Sequence, residues 1–343
     1  MPVSGATRID IKQIMDIPTY ATLSPDAALD ALASAGWLGD GRLLALNSYE
    51  NRVYLVWCED GSSVVVKFYR PGRWSDAQIL EEHAFAAECA EAEIPVVPAL
   101  PGPDGATLQH HAGWRFAVFP RHGGRAPDLE QPETLAWLGR FLGRLHVVGE
   151  RRPFVERPAI DPDTFGRTSV RTLLGGEWLP ATLRAPWQAA AEQALEAVEV
   201  AWARCGDVAT LRLHGDCHAG NLLWTDDGPH FVDFDDARTG PAVQDLWMLL
   251  AGDRESASRQ LAAVLTGYET FREFDDRELA LVEPLRTLRL LHYSAWIAGR
   301  WQDPAFPAAF PWFGTDRYWQ DRILELREQI AAMSEPPLVP ARD

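Results

Sequence analysis

The chain has 343 residues, 47% of them hydrophobic and 24% charged, a composition that excludes a disordered, collagen-like or disulfide-scaffold protein and fits two domains of roughly 150 residues each. Its 32 basic and 49 acidic residues give a formal net charge of −17, which argues against a general binder of nucleic-acid backbones. The four cysteines, Cys58, Cys89, Cys205 and Cys217, lie far apart, without the close pairing of a zinc site or a disulfide framework, so a reducing compartment is expected.

Residues 1–14 interrupt short apolar stretches with Arg8, Asp10 and Lys12 and lack the apolar region of a signal peptide. No stretch approaches the roughly 18 apolar residues of a spanning helix. A cytoplasmic protein without membrane contact is therefore expected. Ser24-Pro25-Asp26, followed by an Ala- and Leu-rich stretch to Gly36, predicts a capped helix. Three β-rich runs follow at 41–48, 52–59 and 63–68, the last two joined through Asp60-Gly61, a hairpin signal. Ser75 opens a helix to about Glu93, closed by Ile94-Pro95. Runs 106–111 and 114–119, separated by Ala112-Gly113, predict a second hairpin that closes the sheet. Pro120 and Gly123-Gly124 mark a boundary, giving lobes 1–120 and 121–343. In the second lobe 133–148 and 181–203 read as helices with a Pro-bearing loop, 152–162, between them. Strands gather near Leu211, and the C-terminal region is helical from about Asp276 to Met333, before a tail, 336–343, expected to fray.

Chemistry concentrates in His214-Gly215-Asp216-Cys217-His218-Ala219-Gly220-Asn221, followed by Asp233-Phe234-Asp235-Asp236. This is H-x-D-x-x-x-x-N with an Asp-led strand end downstream. Phosphoryl transfer needs a carboxylate to orient the attacking hydroxyl and oxygen ligands for Mg2+ on the nucleotide. Asp216 then orients the acceptor hydroxyl, Asn221 and Asp233 hold Mg2+, with Asp233 also counted as catalytic, and His214 holds the loop. A metal hydrolase on His214, Asp216 and His218 lacks an H-E-x-x-H helix or further spaced histidines. Walker A and Rossmann fingerprints are absent.

The upstream lobe supplies an independent test. Of the 32 basic residues only Lys12 and Lys67 are lysines, and Lys67 stands in the strand Val64-Val65-Val66-Lys67-Phe68 as a compact cation for nucleotide phosphates. Its helix partner is Glu82 rather than Glu81: Ile79, Phe85, Ala86 and Cys89 lie at helical spacing from Glu82 and form an apolar stripe. A carboxylate buried there needs a cation.

These motifs, with Leu46-Asn47-Ser48-Tyr49-Glu50-Asn51-Arg52-Val53-Tyr54, Val66-Lys67-Phe68-Tyr69-Arg70-Pro71, Phe116-Ala117-Val118-Phe119-Pro120 and Leu138-Gly139-Arg140-Phe141-Leu142-Gly143-Arg144-Leu145-His146, resemble the protein-kinase-like phosphotransferases over nearly the whole chain. That family includes aminoglycoside phosphotransferases, choline kinases and homoserine kinases, and the likeness is strongest to its bacterial stress-response branch. The resemblance implies a bilobal α+β protein-kinase-like fold, with an N-terminal five-stranded antiparallel sheet and one helix, and a larger, mainly helical C-terminal lobe. It also implies an ATP- and Mg2+-dependent serine/threonine kinase that phosphorylates itself and other proteins. Ser48 is implied to approach the nucleotide phosphates with Lys67 and Glu82, and backbone groups around Val118 and Phe119 to meet the adenine. A monomer is expected.

The departures from ordinary protein kinases each change an expectation. Residues 47–51 replace a glycine flap, Asp235 replaces the glycine of D-F-G, and no A-P-E follows. The interval from Asp236 to Asp245 leaves no room for a long activation loop, so activity without phosphorylation there is expected. Asp245 is expected to brace the catalytic loop through its backbone. A protein acceptor is expected, the alternative being a small-molecule hydroxyl kinase of the aminoglycoside, choline or homoserine type. The complete set Lys67, Glu82, Asp216, Asn221 and Asp233 counts against a nucleotide-binding scaffold without activity. His292, Tyr293, Trp296, Trp301, Trp312, Tyr318 and Trp319 read first as core and second as an acceptor wall.

Overall fold

The computed structural model describes residues 20–341; the expectations for residues 1–14, Lys12 and the end of the tail at Asp343 lie outside the described residues. The chain divides into two compact units, Met1–His83 with Pro98–His122, and Ala84–Val97 with Gly123–Asp343.

In the first unit, helix α1 (Pro25–Ser34) starts where the Ser24 hydroxyl accepts the Ala27 N–H at 3.1 Å, with proline at the first helical position. Strands β1 (Gly39–Leu46), β2 (Arg52–Cys58) and β3 (Ser63–Phe68) follow. Helix α2 (Asp76–Glu91) is opened by a reciprocal cap, Ser75 Oγ accepting from the Gln78 N–H and Gln78 Oε1 from the Ser75 N–H. It begins in the first unit and ends in the second. Strands β4 (Gln109–His111) and β5 (Trp114–Pro120) complete a five-stranded antiparallel sheet in the order β1-β2-β3-β5-β4. The turn between them runs through Ala112 and Gly113, both at positive φ, the backbone that a two-residue hairpin loop requires. β4 is shorter than the run 106–111 predicts. Asp104 Oδ1 accepts the Ala106 N–H and the Ala106 carbonyl accepts from Gln109 Nε2, so those residues close a turn instead of joining the ladder.

The period-two pattern of β3 sorts its side chains. Val64, Val66 and Phe68 join Leu32, Val56, Phe116 and Val118 in one apolar cluster, whereas Ala117, opposite Lys67 in register, joins Ile79 of α2 in another. Lys67 is therefore on the α2 side of the sheet.

The second unit packs α3 (Pro132–Glu150), α4 (Thr168–Gly175) and α5 (Ala181–Cys205) with α7 (Arg254–Tyr268), α8 (Val282–Ala298), α9 (Ala305–Ala309) and α10 (Asp316–Ala332). Between α5 and α7 lie two small antiparallel pairs, β6 (Leu211–Leu213) with β9 (Arg238–Gly240) and β7 (Leu222–Thr225) with β8 (Gly228–Phe231), and the short helix α6 (Val243–Trp247). The predicted loop near 152–162 gives way to a π-helical turn, Pro162–Arg167, and α4. These are two short turns whose buried apolar positions, Val170 and Leu173, are too few to show a period. The C-terminal region is helical as expected, a 3-10 turn at Asp276–Leu281 followed by α8, α9 and α10. Trp319 and Tyr318 are buried and Tyr293, Trp296 and Trp301 pack against the same core, whereas Trp312 is exposed.

Helices α3 and α7 approach to backbone contact. A Cβ at Gly139 would lie 2.0 Å from the Val264 carbonyl oxygen, and one at Gly267 would lie 1.8 Å from that of Ala136. Gly267→Ala is expected to force the helices apart and destabilise by about 1–3 kcal/mol or more. Gly175→Ala, where no atom lies within 4 Å, is expected to leave the Tm unchanged or raise it. Thermal melting of the two variants checks both.

Candidate active site

The loop after β6 is built on one buried carboxylate. Asp245 Oδ2 accepts the His214 N–H at 2.8 Å, and Oδ1 accepts the Gly215 N–H at 2.8 Å. His146 of α3 faces Oδ2 through Nε2 at 3.1 Å, and its Nδ1 faces the Tyr268 hydroxyl at 2.8 Å, which also accepts from Arg272 Nη1 at 2.9 Å. The arrangement fits a neutral imidazole that donates from Nε2 and accepts at Nδ1. Burial accordingly holds the His146 pKa down, outweighing the pull of Asp245. His214 is fully buried, with Nε2 at 2.9 Å from the Val232 carbonyl, so it is a structural residue of the loop. Gln244 Nε2 donates to the Gly215 carbonyl at 2.9 Å. Gly215 has φ +83°, and a Cβ there would lie 2.2 Å from the Asp236 carbonyl oxygen. Only glycine lets the two motifs approach this closely.

Asp216 is partly exposed at the loop's tip. Its Oδ1 accepts from Arg289 Nη1 at 2.6 Å, while His218 Nε2 lies 3.4 Å from Oδ2. Burial raises its pKa, but the His218 contact and the Arg289 charge outweigh that, and the net value lies below the ordinary carboxylate range. Asn221 Nδ2 donates to the Asp216 carbonyl at 3.0 Å and faces Oδ2 at 3.4 Å, which commits its nitrogen and leaves Oδ1 as its acceptor. The β7–β8 hairpin pairs Leu222 with Phe231, and the Val232 N–H donates to the Asn221 carbonyl at 3.1 Å. A separation of twelve residues is thereby closed, and Asp233 follows directly. It is exposed and left-handed, with φ 61° and ψ 66°, a conformation that Asp tolerates better than most residues. Asp235 is buried instead. Arg157 holds this segment through the Ala237 carbonyl, at 2.6 Å, and the Asp235 carbonyl.

Among the described residues no three His, Cys, Asp or Glu side chains gather as a ready-made metal cage. An amide oxygen and an exposed carboxylate are hard donors of the kind Mg2+ takes, the remaining positions being filled by water and phosphate. Asn221 and Asp233 thus fit Mg2+.

In the first unit Ser48 lies in the turn between β1 and β2, where its Oγ accepts the Asn51 N–H at 3.3 Å. Arg70 straps this turn from β3's end, with Nε donating to the Glu50 carbonyl at 2.9 Å and Nη2 to that of Tyr49 at 3.1 Å, while Asn51 Oδ1 accepts the Arg70 N–H at 3.1 Å. Lys67 is 6% exposed, with Nζ 5.4 Å from the Tyr69 ring centroid. Glu82 is 2% exposed, one helical turn beyond Ile79, while Glu81 is only partly buried.

Arg289, His146 and Arg157 carry no role in the sequence reading. Arg289 stands 73 residues from Asp216, and no local pattern marks it. The signal for His146 was the apolar stripe of α3 on which it lies, since a polar residue buried in such a stripe needs a partner.

The sequence profile described as "Phosphotransferase enzyme family" matches residues 42–282. The serine/threonine protein kinase RdoA of Salmonella typhimurium is 47% identical over 320 residues, covering 93% of this chain and 96% of the relative. Stress response kinase A of Escherichia coli K12 is 46% identical over the same shares. A solved amicoumacin kinase, in complex with AMP-PNP, Ca2+ and Ami, matches with a TM-score of 0.70 at 16% identity over 96% of this chain and 98% of that one; at this identity it shows the kinase-like fold alone.

The helix that carries Asp245 rests on a second buried carboxyl. Glu278 is wholly buried and its Oε2 accepts the Val243 N–H of α6 at 2.8 Å. Burial lifts its pKa from 4.5 to about 7, against the opposing Val243 N–H and Arg272 charge. A carboxyl raised on folding gives its full stabilisation below its unfolded value, near 4.5, and loses it as pH climbs through about 7. Glu278→Gln, which keeps the shape and an acceptor without the charge, is expected to melt with wild type at pH 4 and above it at pH 8, by on the order of 3 kcal/mol. Equal differences at the two pH values would contradict this.

Proposed function

The chain belongs to the phosphotransferase enzyme family, and on that premise we propose that it is an ATP- and Mg2+-dependent serine/threonine protein kinase of the bacterial stress response, working in the cytoplasm. It is a kinase with a hydroxyl acceptor. The observation that carries the reading is the hydrogen bonding of Asn221 to Asp216 within one loop, with the β7–β8 register bringing Val232, the residue before Asp233, onto the Asn221 carbonyl. The protein acceptor is supported by relatives named as protein kinases at 46–47% identity over 93% of the chain. Among the described residues no helix is long and apolar enough to cross a membrane.

Asp216 accepts the hydrogen bond of the acceptor hydroxyl, fixes its line of attack and takes its proton as the phosphoryl group transfers. Its lowered pKa keeps it ionised for that purpose. Asn221 and Asp233 hold Mg2+, which when bound neutralises charge on the nucleotide phosphates. Lys67 pairs with phosphate oxygens and is held in place by Glu82, and Ser48 donates its hydroxyl to a phosphate from a turn that Arg70 keeps closed. No activation loop is needed, because β9 pairs with β6 only a few residues after Asp236 and α6 follows directly.

The test is radiolabel from ATP with Mg2+, followed into the protein itself, a generic protein substrate, aminoglycosides and choline. Label on serine or threonine is expected, with the rate in Asp216→Ala lower by about 10^2–10^4-fold. Label only on a small molecule, or an Asp216→Ala variant as active as wild type, would contradict the reading.

A further inference from the structure

Arg289 stands on α8, whose partly exposed ridge carries Arg286, Arg289, Tyr293 and Trp296 at helical spacing. Arg289 donates to Asp216 Oδ1 at 2.6 Å, yet 38% of its side chain remains exposed, beside 21% for Asp216. One turn earlier, Arg286 lies 5.4 Å over the Trp247 ring and is 41% exposed, with Glu283 3.6 Å away offsetting part of its charge. One turn later, Tyr293 and Trp296 stack, with centroids 5.8 Å apart and planes at 17°. The carboxylate that receives the acceptor hydroxyl is therefore reached alongside a guanidinium.

A guanidinium has five donors in a rigid fork, and the Asp216 contact uses one. A carboxylate arriving next to the hydroxyl meets charge-assisted donors in the fork geometry that suits it. An arriving cation meets a like charge, and the Asp216 charge that would attract it is already compensated at 2.6 Å. The net charge of −17 does not reverse this, because solvent-exposed charges beyond a Debye length of about 8 Å are largely screened. Asp236 also acts on Asp216, and its charge is partly offset by Arg238 Nη2 at 3.6 Å.

Resting on the protein-kinase reading, we propose that Arg289 is a specificity-determining residue: it admits to Asp216 a serine or threonine within an acidic protein segment and turns away a hydroxyl flanked by cations. Tyr293 and Trp296 extend the ridge as an apolar footing for the chain of that segment.

Three serine peptides that differ only in their flanks, Asp/Glu, Ala/Gly or Arg/Lys, test this against wild type, R289K, R289Q and R289E. Binding is read by fluorescence anisotropy without nucleotide, transfer by kcat/KM with ATP and Mg2+, and folding by thermal melting. Wild type is expected to bind and phosphorylate the acidic peptide at least about tenfold better than the basic one. R289K keeps that order, R289Q flattens it, and R289E reverses it in the binding assay. A wild-type preference for the basic peptide, or the same ranking in R289Q and R289E when both melt as wild type, overturns the proposal and leaves the protein-kinase reading standing. Transfer to no peptide, with label on aminoglycoside or choline instead, overturns the protein-kinase reading and the proposal with it.

Discussion

The second unit's chemistry hangs on a carboxylate that never meets solvent. Asp245 is wholly buried, and its two oxygens are occupied by the amides of His214 and Gly215 and by His146. Burying such a charge is costly unless every lone pair is used, and removing one partner from a buried pair destabilises by about 3–5 kcal/mol. The group is therefore either fully engaged, with the loop in one conformation, or the loop is lost. From it the order spreads outward. Gly215 fixes the approach of the D-F-D segment, the Asp216 carbonyl fixes the Asn221 amide, and the β7–β8 hairpin sets where Asp233 stands. The helices that supply the outer partners, α3 and α7, are themselves in backbone contact through Gly139 and Gly267. Packing and polar bracing thus support one another, as expected of a site preorganised by its surroundings.

The first unit solves its problem differently. An ordinary kinase flap relies on glycine freedom, whereas the turn at Ser48 has polar side chains and is tied to β3's end by Arg70. A turn strapped in this way has little conformational entropy left to lose. Lys67 owes its place to the alternation of β3, which gives Val64, Val66 and Phe68 to one core and leaves the lysine on the side of α2.

The hairpins of the sheet, the caps of α1 and α2 and the inward face of Glu82 were legible because each depends on local spacing: hairpin turns, Ser caps and a stripe of period 3.6; the pairing of β3 with β5, which crosses α2, was not. Asp245 was expected as a brace even though the two amides it accepts lie 31 and 30 residues before it. The run 106–111 misled because strand-forming residues were recruited by the Asp104 side chain into a turn. Helix α4 was missed because two turns are too short to show a period. Arg289 and Arg157 were out of reach for another reason. Their partners lie 73 and 80 residues away, and such contacts are products of the fold, visible only after the helices pack.

Amide hydrogen exchange at His214 and Gly215, read in wild type and Asp245→Ala alongside phosphoryl transfer from ATP on the same samples, tests the account at its root. Both amides are expected to be strongly protected in wild type and to lose that protection in the variant while α5 and α10 stay protected, with loss of transfer in parallel. Unchanged protection of the two amides, or full transfer by a variant that has lost it, would contradict the claim that this buried carboxylate organises the site.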